Sequence, residues 1–495
     1  MEKQERQDNY THILKTTGLF GGVQVISILV SVVRTKLVAL LLGTGGMGLM
    51  SLFNSTIKLV SDSTNCGISM SGVKDISEAF SSGDIQLLQN SVSVVRMWCI
   101  ITAIFGMIVC ALLSPLFNSW TFNWGNHTLH FLLLSPVIGM MAITGGELSI
   151  LKGMRHLRHL AALSLYNVII TLVLSVPLFY FYRDAAIVPS LIIVAFSQMI
   201  LTISYSYHIS PLRLSWKKTT FLRGVRMIRL GIAFVLAGIL GSGADFLIRS
   251  YLNNKADLDT VGIFNAGYMM IIVYGGMIFS AMETDFFPRL SAVKKAGQEL
   301  NNTVNRQIEV TLLLIAPLLV AFITFLPIIV PLLYSKQFVP AIPMMQIAIL
   351  ALYMRAIKLP IAYIPLSRGD SKSYLLMEGL YDIIFVLMMI LGYNCHGLRG
   401  LGWGILVTSI IDFIMLFTYM RWHYGYSLSS DVAKYAIMQI PLGILAFINT
   451  YMDNILFYWI IGIMLTIVSG MISLTILQSK THLWRKLKEK IWRRM

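Results

Sequence analysis

Apolar residues run along this chain in stretches of about 20, the length a helix needs to cross a bilayer, with short polar breaks between them. The pattern predicts spans at roughly 16–42, 46–70, 92–113, 129–150, 160–182, 187–208, 229–252, 261–286, 308–333, 341–365, 373–393, 400–421, 434–451 and 455–477. These runs are helical in length, unlike the alternating segments of about ten residues that build a membrane barrel. About fourteen spans is an even number, so both termini fall on one side.

Polar residues enter the first two spans in register. Gln24, Ser27, Ser31 and Arg34 share a face about 80° wide at ~100° per residue. After the turn Gly43-Thr44-Gly45-Gly46, residues Asn54, Lys58, Ser61 and Asn65 do the same, with Asp62 at the edge. A charge near the bilayer centre costs roughly 2.5–3.5 kcal/mol even on the lenient insertion scale, so such stripes line a protein interior or a wet cavity. A cationic internal pathway is expected.

Composition supports an integral membrane protein: 56% of residues are hydrophobic, 13% are charged, and the mean hydropathy is +0.73, a balance foreign to soluble domains. Met1 to Lys15 is polar and unlike a cleavable signal. The net charge of +16 does not indicate nucleic acid, because the basic residues lie in short loops and at the C-terminus. One set of breaks holds Lys3, Arg6, Lys15, Lys74, Lys152, Arg155, Arg158, the segment Arg213 to Arg229, the segment Arg289 to Arg306, Arg368, Lys372, Arg421, Lys434 and the tail from Lys480. The opposite set has only Arg183, Lys255, Lys336 and Arg399, so the first set, with both termini, is cytoplasmic. Trp484 to Arg494 reads as a basic amphipathic helix on the cytoplasmic leaflet. Ser114 to Thr128, the longest outward loop, suits an interfacial aromatic belt. Cys66, Cys99, Cys110 and Cys395 lack ligand spacing and read as packing residues, so no metal or cofactor is expected.

A displacement of about 214 residues superimposes Gly48 on Gly262, Ser77 on Ser291 and Gly83 on Gly297, and brings Arg34 within one position of Arg249. The displacement covers an even number of helices, which makes the repeat parallel. The fold expected is an all-α integral membrane protein with two six-helix lobes, 1–212 and 213–425, about a central cavity. Two further transmembrane helices occupy 426–479, and a basic amphipathic tail occupies 480–495.

The charges inside the spans need separate readings. Arg96 lies near a helix end and is expected to snorkel to the head groups; Arg249 either snorkels or faces inward. Arg355 sits near mid-span, with Lys358 one turn on. Lys58 with Asp62, and Asp245 with Arg249, stand four apart and suit intrahelical ion pairs. Glu147 and Asp412 lack a local partner, so each either carries a proton or pairs with a cation on another helix. Arg offers phosphate a bidentate fork and Lys a point charge, which makes a phosphate-bearing substrate the natural ligand. Gln24, Asn54 and Asn65 suit sugar hydroxyls.

Lys36-Leu37-Val38-Ala39-Leu40-Leu41-Leu42-Gly43-Thr44-Gly45-Gly46-Met47-Gly48-Leu49 and Gly67-Ile68-Ser69-Met70-Ser71-Gly72-Val73-Lys74 resemble the Wzx-type polysaccharide flippases of the multidrug/oligosaccharidyl-lipid/polysaccharide exporter superfamily. The nearest likeness is to the O-antigen and enterobacterial common antigen flippases of lipopolysaccharide and polysaccharide biosynthesis. Thr44 stands where that family tends to place a proline. The resemblance implies alternating access that carries an undecaprenyl-diphosphate-linked oligosaccharide from the cytoplasmic to the periplasmic leaflet of the bacterial inner membrane. Membrane lipids and polysaccharide polymerase or chain-length machinery are the partners implied. Arg34, Lys36 and Lys58 match the cationic first helices of such flippases; Arg249, Arg355 and Lys358 join them on the reading of the spans alone. Coupling to a proton or sodium gradient is implied for the superfamily, with Asp62, Asp245 and Asp412 as candidates.

Three rivals share features of this reading. A multidrug exporter of the same fold would hold cationic compounds with acidic groups, against the Arg and Lys of the first spans. A peptidoglycan-precursor flippase differs only in cargo. A membrane polysaccharide polymerase or ligase, an enzyme, would carry a large outward catalytic loop, and none is present in the sequence, so a non-enzyme is expected with no catalytic residues.

Overall fold

The computed structural model describes the backbone except at residues 1, 213, 277–278, 280–285, 287–288, 292, 294–296 and 482–495. It describes side chains except at these positions and at residues 2–22, 24–25, 157, 226, 229–231, 233–234, 273–274 and 481. The amphipathic tail expected at 480–495 and the Gln24 side chain therefore fall almost wholly outside the described residues.

Every regular element among the described residues is a helix, with no strand. In chain order the elements are α1 (Glu2–Thr64), α2 (Ile68–Ser81), α3 (Ile85–Thr121), α4 (Thr128–Gly153), α5 (Leu157–Tyr182), a 3₁₀ turn (Arg183–Ala186) and α6 (Ile187–Ile209). There follow α7 (Lys218–Lys255), α8 (Leu258–Met269) with a π turn (Met270–Tyr274), α9 (Gln298–Leu333), a 3₁₀ turn (Lys336–Ala341), α10 (Ile342–Ser367), α11 (Ser371–Tyr424), α12 (Ser430–Asn449) and α13 (Ile455–Thr481). Among the described residues, ten runs are long and apolar enough to cross a membrane. Three of them, 26–64, 158–209 and 371–424, are helix pairs, broken at Gly43, at the Arg183 turn and at His396-Gly397. Counting these as pairs, and adding the shorter apolar helix that starts at Leu258, gives the fourteen helices the sequence predicts. The protein is a multi-pass membrane protein.

Sequence chemistry sets the breaks. Gly43 has φ 65° and ψ −164° inside α1, a conformation that glycine adopts without steric cost; it lies in the predicted turn and splits α1 into segments α1a and α1b. Asn65 and Gly67 end α1b: Asn65 Oδ1 accepts from Gly67 N at 2.8 Å, and Gly67 has φ 69°. Asp84 caps α3 by accepting from Gln86 N and Leu87 N at 2.8 and 3.0 Å, satisfying two of the orphan donors of the first turn. That cap moves the start of α3 seven residues or so ahead of the predicted span, and its far end runs to Thr121. Most of the expected outward loop is therefore helix, and only 122–127 remain as connection.

Left-handed backbone recurs with the displacement of about 214 residues. Gly83 and Gly297 have φ 72° and 136°, Arg155 and Gly369 have 57° and 71°, and Arg183 and Gly397 have 48° and 56°. Even ψ agrees in the last pair, −129° at Arg183 and −136° at Gly397.

The chain forms two compact units, residues 1–262 with 333–335, and residues 263–332 with 336–495. In the first, Ile68, Ile76, Val92, Val95, Met97, Ile150 and Met154 make a buried cluster where α2, α3 and α4 meet. In the second, Leu290, Leu300, Val304, Ile308, Ile361, Ile364, Met420 and Tyr426 form its counterpart around α9, α10 and α11.

Candidate functional site

In the first unit the cations of α1 and α7 lie on facing helices. Lys58 Nζ stands 3.7 Å from Asp245 Oδ2, and Arg249 Nη1 stands 3.1 Å from Asp245 Oδ1. Arg249 also donates from Nε to Ser51 Oγ at 2.9 Å and from Nη1 to the Asp245 carbonyl at 3.0 Å. It is 3% exposed, so it does not snorkel: Ser51 and Asp245 satisfy it within the helix pair. One carboxylate thus serves two cations. Lys58 takes this partner across helices in place of Asp62; the Asp245–Arg249 pair is the intrahelical one expected from spacing.

Exposure divides the two polar stripes. Ser27 and Ser61 are buried, whereas Asn54 and Lys58 are exposed, the Lys58 side chain at 56%. Arg34 is half-buried and donates from Nε to Ser175 Oγ of α5 at 3.2 Å; Lys36 is half-buried as well. Asn65 spends its carbonyl oxygen on the Gly67 turn.

Arg96 overturns its expected snorkelling. It is 4% exposed and forks onto Glu147, from Nε to Oε1 at 2.9 Å and from Nη2 to Oε2 at 3.1 Å. The carbonyls of Ser210 and Pro211 each take a further N–H at 2.9 Å, and Ser206 Oγ donates to Glu147 Oε2 at 2.5 Å. Fully partnered, the guanidinium has no need to reach the head groups. Glu147, without a local partner in sequence, finds one on a neighbouring helix.

In the second unit a cavity of about 260 Å³ lies among α8, its π turn, α10 and α11. Arg355, Lys358, Glu378, Tyr381, Phe385 and Asp412 are among its lining residues. Lys358 Nζ is in close ion-pair contact with Asp412 and lies 4.4 Å from the Tyr381 ring centre. Asp412 therefore pairs with a cation on another helix, one of its two expected alternatives. Arg355 rests over Phe279 at 5.3 Å, an aromatic contact that leaves its N–H fork open. Glu378 is a lining residue outside the sequence candidates, although it falls inside the predicted span 373–393, where a carboxylate is a functional candidate by default.

An all-helical chain of many spans, with cations and carboxylates arranged inside its helical units, is a multi-pass membrane protein. The sequence profile of the family described as polysaccharide biosynthesis protein matches residues 37–343, and the chain belongs to that family. Among solved structures the fold is similar to the lipid II flippase MurJ in its inward closed conformation, with a TM-score of 0.71 and 14% identity over 93% of this chain and 99% of that one. It is also similar to an inward-facing multidrug resistance MATE transporter of the MOP superfamily, with a TM-score of 0.64 and 16% identity over 81% of this chain and 94% of that one. A third similar structure is a MOP superfamily transporter from Pyrococcus furiosus, with a TM-score of 0.56 and 14% identity over 82% of this chain and 93% of that one. At these identities the likeness is one of fold. No curated protein sequence matches the chain.

Proposed function

We propose that the protein is a Wzx-type flippase that moves an undecaprenyl-diphosphate-linked oligosaccharide from the cytoplasmic to the periplasmic leaflet of the bacterial inner membrane, with both termini cytoplasmic. Membership of the polysaccharide biosynthesis family supports the glycan, and the flippase and transporter folds support movement over chemistry. Alternating access by two repeated lobes, 1–212 and 213–425, is part of the reading, and the matched left-handed positions at a displacement of about 214 residues support the repeat. Polymerase and chain-length machinery would act on the delivered cargo.

Lys58 carries the proposal. Its ammonium is mid-span, its side chain is 56% exposed, and its carboxylate partner is shared with Arg249. An ammonium presented to lipid at that depth is unfavourable by roughly 2.5–3.5 kcal/mol, whereas a wet path that carries a diphosphate stabilises it. Arg34, Lys36, Lys58 and Arg249 then attract the diphosphate, Asn54 meets hydroxyls, and Arg355 with Lys358 serves the second unit. Gln24 and Asn65 are weaker members, since Asn65 already holds a turn. Ion coupling falls to Asp62, Asp245 or Asp412; Asp245 and Asp412 each hold a cation that protonation or a bound phosphate would release.

The test is translocation of a fluorescent undecaprenyl-diphosphate oligosaccharide in proteoliposomes. Arg34→Ala and Lys58→Ala, reconstituted at equal folded amounts, should each slow it about tenfold or more, the effect of about 1.4 kcal/mol. Full activity in both variants sinks the pathway. A wild type that moves no such lipid but exports organic cations sinks the flippase itself.

A further inference from the structure

The second-unit cavity is lined by two ionisable groups that, among the described residues, meet no ion-pair partner. Arg355 has its contact with the Phe279 ring and, among the described residues, no hydrogen bond or ion pair. Glu378, on α11, has neither as well, although it lines the same cavity. Their neighbours Lys358 and Asp412 are already joined to each other. A charged pair inside a membrane protein normally collapses into contact or keeps a ligand between its members. Both residues are half-buried and line the cavity, which measures about 260 Å³.

One wall is aromatic. Tyr381 and Phe385 stack at 5.8 Å with their planes 7° apart, and Tyr268 continues the row at 6.2 Å from Phe385. Stacked rings of this kind take the apolar face of a saccharide, while the polar groups at the cavity edge take its substituents.

From this juxtaposition we infer that the cavity is a saccharide subsite for an acidic sugar residue, a uronic acid of the transported glycan. Arg355 binds the sugar carboxylate with its planar fork. Glu378 accepts from ring hydroxyls, and the Tyr268–Phe385–Tyr381 wall takes the ring. A phosphate fits less well: its second negative charge would sit beside the carboxylates of Glu378 and Asp412, whereas a single carboxylate with neighbouring hydroxyls satisfies Arg355 and Glu378 together. The inference rests on the flippase reading for its cargo and assigns to Glu378 and the aromatic wall a role in choosing it.

Two measurements on the full chain test this. In detergent, sodium glucuronate should raise the melting temperature of the purified protein, and equimolar glucose or sodium phosphate should raise it far less. Arg355→Gln and Glu378→Gln should each remove most of the glucuronate shift. In proteoliposomes at sub-saturating lipid, an undecaprenyl-diphosphate oligosaccharide bearing glucuronic acid should move about tenfold faster than its glucose counterpart. Arg355→Gln should bring that ratio towards one; Arg355→Lys, which keeps the charge and loses the fork, should lower it part of the way and guards against a folding defect.

Equal shifts with phosphate and glucuronate, unaffected by Glu378→Gln, would mean an adventitious ion only and overturn the site. Equal rates for the two lipids, with a ratio that Arg355→Gln leaves alone, overturn it too while the flippase reading survives. A wild type that binds glucuronate through Arg355 yet moves neither lipid upholds the sugar-acid site and rejects the cargo.

Discussion

Gly48 and Gly262 face each other with no room for a side chain on either. A Cβ on Gly262 would lie 1.9 Å from the Thr44 carbonyl oxygen, and one on Gly48 would lie 2.0 Å from that of Leu258. The contact is reciprocal: each glycine meets the carbonyl four residues before the other. Thr44 Oγ1 hydrogen-bonds Asp259 beside it, so the Gly43 turn and the start of α8 are fixed together.

Gly262→Ala should therefore push α1b and α8 apart. The atoms in the way are backbone, which cannot rotate aside, so the cost belongs to overpacking at about 1–3 kcal/mol. A lower melting temperature in detergent checks it. Gly238→Ala is the control, because nothing lies within 4 Å of a Cβ there.

Arg183→Gly should stabilise the protein. Arg183 holds φ 48° and ψ −129°, a region that a side chain makes costly by about 1–3 kcal/mol. The matched position in the other repeat is Gly397 at φ 56° and ψ −136°, which shows that the turn works with glycine. A gain of up to about 1 kcal/mol is expected, reduced by the extra freedom glycine gives the unfolded chain. Thermal unfolding reads it, and Gly397→Ala should move the other way.

These two sites also show what the sequence could and could not tell. Span lengths and the Gly43 break were legible because lipid imposes a length, and a positive φ selects glycine. The repeat was legible through glycines at constant spacing. Helix ends were less so: hydropathy sees the lipid-crossing part of α3, while Asp84, Gln86 and Gln89 extend it in water. Beyond the i,i+4 pair Asp245–Arg249, the partners of charges on other helices were not legible. Arg96 and Glu147 stand 51 positions apart, and only the packing of α3 on α4 brings them together. Lys58 had a nearby Asp62 in sequence and took Asp245, a choice that depends on the placement of α7.

The Arg96–Glu147 pair yields a third prediction. Both side chains are under 5% exposed, so losing one partner strands a buried charge. Arg96→Leu alone should cost about 3–5 kcal/mol, as should Glu147→Leu alone. The double variant should recover much of this loss, since it removes the desolvation cost of both ions. Urea or thermal unfolding of the three proteins completes the cycle; additive losses would mean that Ser206 and the Ser210 and Pro211 carbonyls, not the pair, hold this corner.

Asp370 gives stability a pH dependence outside the membrane. It caps α11 by accepting from Ser373 N at 3.1 Å, from Ser373 Oγ at 2.5 Å and from Tyr424 OH at 2.7 Å. The Ser373 hydroxyl first, and the Tyr424 hydroxyl after it, hold its carboxyl down to about 2 from the ordinary 3.8. A depressed carboxylate stabilises the folded state in full above its unfolded value, and that contribution is lost as pH falls from about 4 to about 2. Solvent reaches this group, so the amount is below about 1 kcal/mol. Melting temperatures measured across that window should fall less steeply in Asp370→Asn than in the wild type, and the two curves should run parallel above pH 5. Identical slopes throughout would mean that the cap is open in solution.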